Sequence, residues 1–204
     1  MGMEIFDDIE QGSPEWFAIR AGIPTASMYS VVSQKKGPRG GIPKGRTTYM
    51  YKLAGEIITG EPMDSYTNAH MERGKEREAE ARELYAIIRD VKPKQVGFVK
   101  NDNCGCSPDS FVGDVGLLEI KDALPHIQIE RLLKGALPSE HVHQVQGQLK
   151  DTQREWLDFM SHCRGMPPLI IRVHRDERKI AELKVDIDAF NEELHQLVEK
   201  IRGM

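Results

Sequence analysis

The feature that most constrains this chain is a pair of short segments separated by a turn. Ser107-Pro108-Asp109 leads toward Gly113-Asp114-Val115-Gly116, and Leu118-Glu119-Ile120-Lys121 follows. Side chains alternate faces along a strand, so Glu119 and Lys121 project to one side while Leu118 and Ile120 project to the other, into a core. The Gly-Asp-Val-Gly segment supplies turn chemistry. Folded there as a hairpin, the strand holding Asp109 lies beside the strand holding Glu119, and the two carboxylates can share a divalent cation.

A third acid belongs with them. The segment from Asn68 to Arg89 has helical periodicity, and its inward face runs Gly74, Glu78, Ala81, Tyr85, Ile88. Glu78 falls on that stripe, whereas Glu76, Glu80 and Glu83 lean toward solvent. A lone buried carboxylate is costly unless it meets a metal or another cation. Asp and Glu are hard oxygen ligands that suit magnesium. Two such ions roughly 3.5–4 Å apart are a common device for phosphodiester hydrolysis, and Lys121 can steady an attacking water or developing charge. Each piece has an ordinary explanation: Pro-Asp is a frequent turn dipeptide, and Glu-x-Lys is often a solvated stripe with a local ion pair. The three acids and the lysine together outweigh it.

These residues resemble the lambda-exonuclease-like, or YqaJ-type viral recombinase, branch of the PD-(D/E)XK nucleases. Gly12-Ser13-Pro14-Glu15-Trp16-Phe17-Ala18-Ile19-Arg20 followed by Gly22-Ile23-Pro24-Thr25-Ala26-Ser27 looks like the family's first motif, and Gly74-Lys75-Glu76-Arg77-Glu78 like its helix motif. Cys106-Ser107-Pro108-Asp109 and Leu118-Glu119-Ile120-Lys121 look like the catalytic hairpin, and His143-Gln144-Val145-Gln146 like the helix after it. The likeness covers about the first 150 residues. It implies a PD-(D/E)XK restriction-endonuclease-like α/β core, a mixed central sheet flanked by helices. It also implies metal ligation by Asp109, Glu119, Glu78 and the main-chain carbonyl of Ile120, catalysis by Lys121, and support from Gln144. Arg20, Thr25 and Ser27, with Ser107 as a further contact, match the positions that receive a 5′ phosphate. The implied activity is a magnesium-dependent 5′-to-3′ exonuclease on linear double-stranded DNA, with two ions per site and manganese as a substitute. The product is a 3′ overhang for a single-strand annealing partner in phage-type recombination, and the implied assembly is a homotrimeric ring.

Composition sets the outer limits. A 204-residue chain with 39% hydrophobic content suits one α/β domain over residues 1–204. It has no uncharged apolar run long enough to span a membrane. Its start, Met-Gly-Met-Glu-Ile-Phe-Asp-Asp, lacks the basic and apolar regions of a signal peptide, so the expected location is cytoplasmic. Three cysteines, Cys104, Cys106 and Cys163, do not make a disulfide framework and fall short of the four thiolates that an iron–sulfur cluster takes. A zinc site from Cys104, Cys106, His141 and His143 has the right ligand types without the usual spacing. His143 instead neighbours Gln144, which places it near the candidate metals or DNA.

The net charge of −4 hides segregation: Lys35, Lys36, Arg39, Lys44, Arg46 and Lys52 lie between Gln34 and Lys52 with no acid among them. A basic loop of this kind can meet DNA phosphates. It also carries the main rival, since Gly40 to Thr47 reads G-x-x-x-x-G-R-T, one substitution from a nucleotide-binding phosphate loop. The substitution removes the critical lysine, and only Tyr29-Ser30-Val31-Val32 precedes it as a candidate strand. An endonuclease on the same core is the other alternative. Further on, the periodicity predicts a helix from Ser139 to about His162. Strands at Leu169–His174 and Lys179–Val185 follow, joined by an Arg175-Asp176-Glu177-Arg178 turn, and a terminal helix begins at Asp186 or Asp188.

Overall fold

The structure is a computed structural model that describes residues 2–35, 41–63 and 69–204, with residues 69–75 described as backbone only. Lys36, Arg39, Gly40 and Asn68 therefore lie outside the described residues. The expected hairpin is present. Strand β4 (Ser110–Val112) runs antiparallel to β5 (Gly116–Asp122), with Ser110 opposite Leu118 and Val112 opposite Gly116. On its other side β5 pairs in parallel with β6 (Trp156–His162), and β7 (Leu169–His174) closes the sheet antiparallel to β6. A second, antiparallel sheet combines β1 (Met3–Phe6), β2 (Phe98–Asn101) and β3 (Cys104–Cys106). A single bridge at Thr25–Gly105 ties it to the N-terminal loop, and another at Lys94–Phe111 ties the segment before β2 to β4.

Helices cover both faces of the four-stranded sheet, giving a mixed α/β architecture. Helix α4 (Ala69–Arg89) packs Ala81 and Tyr85 against Leu118, Ile120 and Met160. On the opposite face, α6 (Val142–Thr152) packs Val145 and Leu149 with Leu117, Leu157 and Phe159. The strand alternation therefore places Glu119 and Lys121 on the α6 side. Parallel strands need a long crossover, and here α5 (Pro125–Lys134) and α6 supply it between β5 and β6. Near the N-terminus lie α1 (Pro14–Arg20), a 3₁₀ turn (Ala26–Met28), α2 (Tyr29–Val32) and α3 (Lys44–Thr59). Ser13 caps α1 by accepting the Trp16 N–H. Because residues 29–32 are helical, the phosphate-loop reading loses its preceding strand.

Three expectations change. The helix foreseen from Ser139 to His162 begins with a 3₁₀ turn (Ser139–His141) that has no side-chain cap, and its α-helical part ends at Thr152. Gln153 adopts a left-handed conformation with φ of 57°, so Trp156 and Phe159 belong to β6. Lys179–Val185 is not a strand, since α7 (Glu177–Arg202) starts at the Asp176 cap and runs through it. Ile180, Leu183, Ile187, Phe190, Leu194 and Val198 form its buried stripe at helical spacing. Ile88, assigned inward, is 46% exposed, while Ala81 and Tyr85 are fully buried.

Buried polar ties lock these layers. Tyr85 OH donates to Asp158 on β6 at 2.8 Å, and Arg172 on β7 grips the same carboxylate at 2.8 and 2.9 Å. Gly147 lets α6 press onto Tyr29, because a Cβ there would come within 2.3 Å of the ring. Gly147→Ala is expected to lose about 1–3 kcal/mol through overpacking, less the roughly 1 kcal/mol that alanine gains in a helix. Urea denaturation measures the difference, and an unchanged midpoint would show that Tyr29 yields freely.

Candidate active site

Glu119 sits in the middle of β5 and is 2% exposed. Its Oε1 accepts the Gln144 amide at 2.6 Å, and its Oε2 accepts the Gln148 amide at 2.6 Å. Residues four apart on a helix share a face, so α6 delivers both amides to one carboxylate. Lys121, two residues along the same strand face, places Nζ 2.5 Å from Glu119 Oε1. Burial works against the lysine charge, but Glu119 and Asp109 outweigh it and raise its pKa.

Asp109 stands just before β4, and its Oδ2 accepts the Ile120 N–H at 2.5 Å, which ties the acid across the hairpin. Glu78 reaches in from α4, ion-paired with Arg82 one turn along. Arg82 also donates to Ser110 Oγ at 2.9 Å, fixing α4 over the start of β4. The three acids share one field. Burial first, then the charges of Glu119 and Glu78, push the Asp109 carboxyl well above the ordinary range. Burial raises Glu78 too, with Arg82 opposing and Glu119 reinforcing. Asp109, Glu119, Glu78, Lys121 and Gln144 are thus brought together as expected.

The donor chemistry of this group fits a hard divalent cation: carboxylate oxygens whose mutual repulsion a cation would relieve. Among the described residues no three acid, imidazole or thiol groups form a ready metal cage. Instead the Lys121 and Arg82 side chains, with the two glutamine amides, engage the acid oxygens of Glu119 and Glu78. The cysteines are free and buried, and burial pushes the Cys104 thiol up to about 11. His143 is exposed beside Ser33, Lys179 and Asp186, in a crevice against α7 rather than at Glu119.

The N-terminal residues form a second cluster. Arg20 lies over the Trp16 ring at 3.7 Å and points Nη2 toward Thr25 Oγ1 at 3.5 Å, and Thr25 Oγ1 is 3.3 Å from Ser27 Oγ. The Trp16 indole N–H donates to Ser107 Oγ at 3.0 Å, linking this cluster to the segment that carries Asp109. Gly22, at φ of 76°, brings the connecting loop against Ile57, where a Cβ would be 2.6 Å away. Arg20, Thr25 and Ser27 line a cleft between α1 and α3, and Lys44 lines it with them. Lys35 is exposed elsewhere, beside Ile42 and Ala189. Arg46 is a correction: it is 7% exposed and donates to both Glu193 oxygens at 2.7 and 3.0 Å, so it fastens α3 to α7 and is unavailable to DNA.

Comparison with known families matches residues 15–155 to the YqaJ-like viral recombinase domain. The chain belongs to that family. The solved alkaline exonuclease LHK-Exo from Laribacter hongkongensis is 34% identical, with a TM-score of 0.81 over 92% of this chain and 95% of that chain. Its complex with dAMP gives a TM-score of 0.82 at the same identity and coverage. A phage-related exonuclease from Haemophilus somnus 129PT shares the fold at 14% identity, with a TM-score of 0.67 over 88% of this chain and 96% of that chain. Comparison with curated proteins returns no match.

The family's matched span holds both clusters, from Trp16 to Gln148. Sequence reasoning missed Gln148 and Arg82 as site residues. The signal for Gln148 was its four-residue spacing from Gln144, and for Arg82 the same spacing from Glu78. The shared field has a consequence for stability. A carboxyl whose folded pKa is raised penalises folding progressively as pH climbs above its unfolded value near 4, in full once pH passes the folded value, and not at all below about 4. Asp109→Asn, measured without metal, is expected to gain about 0.5–2 kcal/mol at pH 8, with the gain closing toward pH 4. Thermal melts across that range check it, and a loss at pH 8 would contradict the crowding of charge.

Proposed function

We propose that this protein is a magnesium-dependent exonuclease that degrades linear double-stranded DNA from 5′ ends by phosphodiester hydrolysis. The observation that carries the reading is Glu119, a buried carboxylate held by Lys121, Gln144 and Gln148 beside Asp109 and Glu78. Membership of the viral recombinase family, and 34% identity to an alkaline exonuclease that binds dAMP, support a nuclease of the phage recombination class.

Asp109, Glu119, Glu78 and the Ile120 carbonyl are the groups that would hold divalent cations, two in this reading, with manganese able to replace magnesium. Bound there, the metal supplies Lewis acidity toward the phosphate and acidifies water. The chain's own residues do the rest. Gln144 and Gln148 fix the Glu119 oxygens, so the carboxylate cannot rotate as charge develops. Lys121, held as an ammonium by its neighbours, stabilises negative charge on the scissile phosphate oxygens. Arg20 presents a guanidinium fork, and Thr25 and Ser27 present hydroxyls, to the terminal 5′ phosphate; Ser107 lies across Trp16 as a further donor.

In this reading residues 1–204 act as one nuclease domain in the cytoplasm. Lys35 and Lys44 meet the DNA backbone. A single-strand annealing protein takes the 3′ overhang, and a homotrimeric ring keeps an acidic chain on its substrate. Among the described residues no helix is long and apolar enough to cross a membrane.

The deciding assay uses linear duplex labelled separately at 5′ and 3′ ends, with and without 5′ phosphate, beside a closed circle. Loss of label from phosphorylated 5′ ends alone is expected, and cutting of the circle would replace the exonuclease reading with an endonuclease. Lys121→Ala is expected to lower turnover about 10²–10³-fold while DNA binding survives. Near-normal single-turnover rates would remove the lysine from the chemistry. Arg20→Ala is expected to erase the preference for phosphorylated over hydroxyl ends, and equal losses on both would argue against a phosphate pocket.

A further inference from the structure

We infer that His141 is a further catalytic residue, whose Nδ1–H donates to the scissile phosphate beside Lys121. The inference rests on the reading of Lys121 as the group that stabilises that phosphate, and extends it. His141 ends the 3₁₀ turn that leads into α6. His141, Gln144 and Gln148 recur at intervals of three and four, which keeps their side chains on one helix face. Gln148 meets Glu119 Oε2, and Gln144 meets Oε1, the oxygen that Lys121 also engages. Each step back along this face thus leads from Glu119 toward Lys121, and His141 is next in line. Its ring lies 5.0 Å from that of Phe159, the residue paired with Glu119 across β5 and β6.

Arg131 on α5 decides which ring nitrogen carries the proton. Its Nη2 lies 3.2 Å from His141 Nε2 and 3.7 Å from Glu140 Oε1. A guanidinium has only donors, so Nε2 accepts and the proton sits on Nδ1. Arg131 is held in turn. Its Nη1 donates to Ser161 Oγ at 3.1 Å, and Ser161, level with Lys121 across the strand pair, donates to the fully buried Gln128 at 2.6 Å. Burial, reinforced by the charges of Lys121 and Arg131, lowers the imidazole pKa and favours the neutral ring. Among the described residues His141 makes its hydrogen bond through Nε2 alone. Lys121 has only donors, and Glu119 Oε1 already takes two, so the acceptor for Nδ1–H comes from the substrate. Beside an ammonium, a fixed neutral N–H adds a directional bond to the same phosphate without adding charge.

Two substitutions separate the ring from its donor. His141→Phe keeps a ring against Phe159 and removes the N–H, whereas His141→Asn removes the ring and keeps an N–H at the same bond distance from Cβ as Nδ1. Single-turnover cleavage of labelled linear duplex, at saturating protein and magnesium, is measured for both and for Lys121→Ala, with thermal melts alongside. His141→Phe is expected to melt as wild type does and to cleave about 10²-fold more slowly, the usual loss for one transition-state donor. His141→Asn is expected to recover roughly tenfold of that loss. A ring that merely packs predicts the reverse order of the two variants. That order, or a His141→Phe rate within about threefold of wild type, would overturn the inference. Arg131→Met is expected to slow the wild-type protein and to add nothing to His141→Phe, because it acts through the ring that it orients. Additive losses would remove Arg131 from that positioning role. Near-normal cleavage by Lys121→Ala would instead sink the underlying reading of the lysine, so the two failures are distinguishable.

Discussion

The candidate site hangs on one buried carboxylate. Glu119 lies on an inner strand of the four-stranded sheet, and leaving it unpartnered there would cost several kcal/mol. Lys121 comes to it along the same strand face, while Gln144 and Gln148 come from the helix that crosses over to the next strand. The acid therefore connects three levels of structure: strand alternation, the parallel crossover, and the pitch of α6. A helix rotated or shifted by one residue would withdraw both amides and leave Glu119 with Lys121 alone. Satisfying Glu119 and folding the crossover correctly are thus the same event.

The opposite face of the sheet has its own anchor. Asp158, fully buried on β6, is met by Tyr85 from α4 and Arg172 from β7. That arrangement sets where α4 lies, and so where Glu78 enters. Arg82 completes the placement by joining Glu78 to Ser110 at the hairpin. The acids converge from elements on both faces, and their crowding is a source of instability that the fold carries at its centre.

The hairpin and the stripe of α4 could be read from sequence because each follows from a local period: two for Glu119 and Lys121, about three and a half for Glu78, Ala81 and Tyr85. Legibility failed where two periods coincide. Val142, Val145, Leu149, Trp156 and Phe159 have near-helical spacing, yet the last two sit on a strand because Gln153 reverses the backbone between them. Ile180 and Leu183 are read differently as a strand or as a helix, and only the Asp176 cap and the long stripe to Val198 decide it. Arg46 was misread for another reason. Its run of basic neighbours suggests a DNA contact, but its partner Glu193 is 147 residues away, a pairing that no local pattern contains.

That distant pairing has a temporal side. Helix α7 follows every other element of the fold, yet its Phe190 stacks on Tyr49 at 5.9 Å and its Glu193 secures Arg46, both on the helix that walls the N-terminal cleft. During synthesis the chain produces the acids, the lysine and the Arg20 cluster long before it produces the helix that braces α3. The cleft is thus braced only after residues 177–202 have left the ribosome, and a nascent or prematurely terminated chain lacks the support beneath its N-terminal cleft.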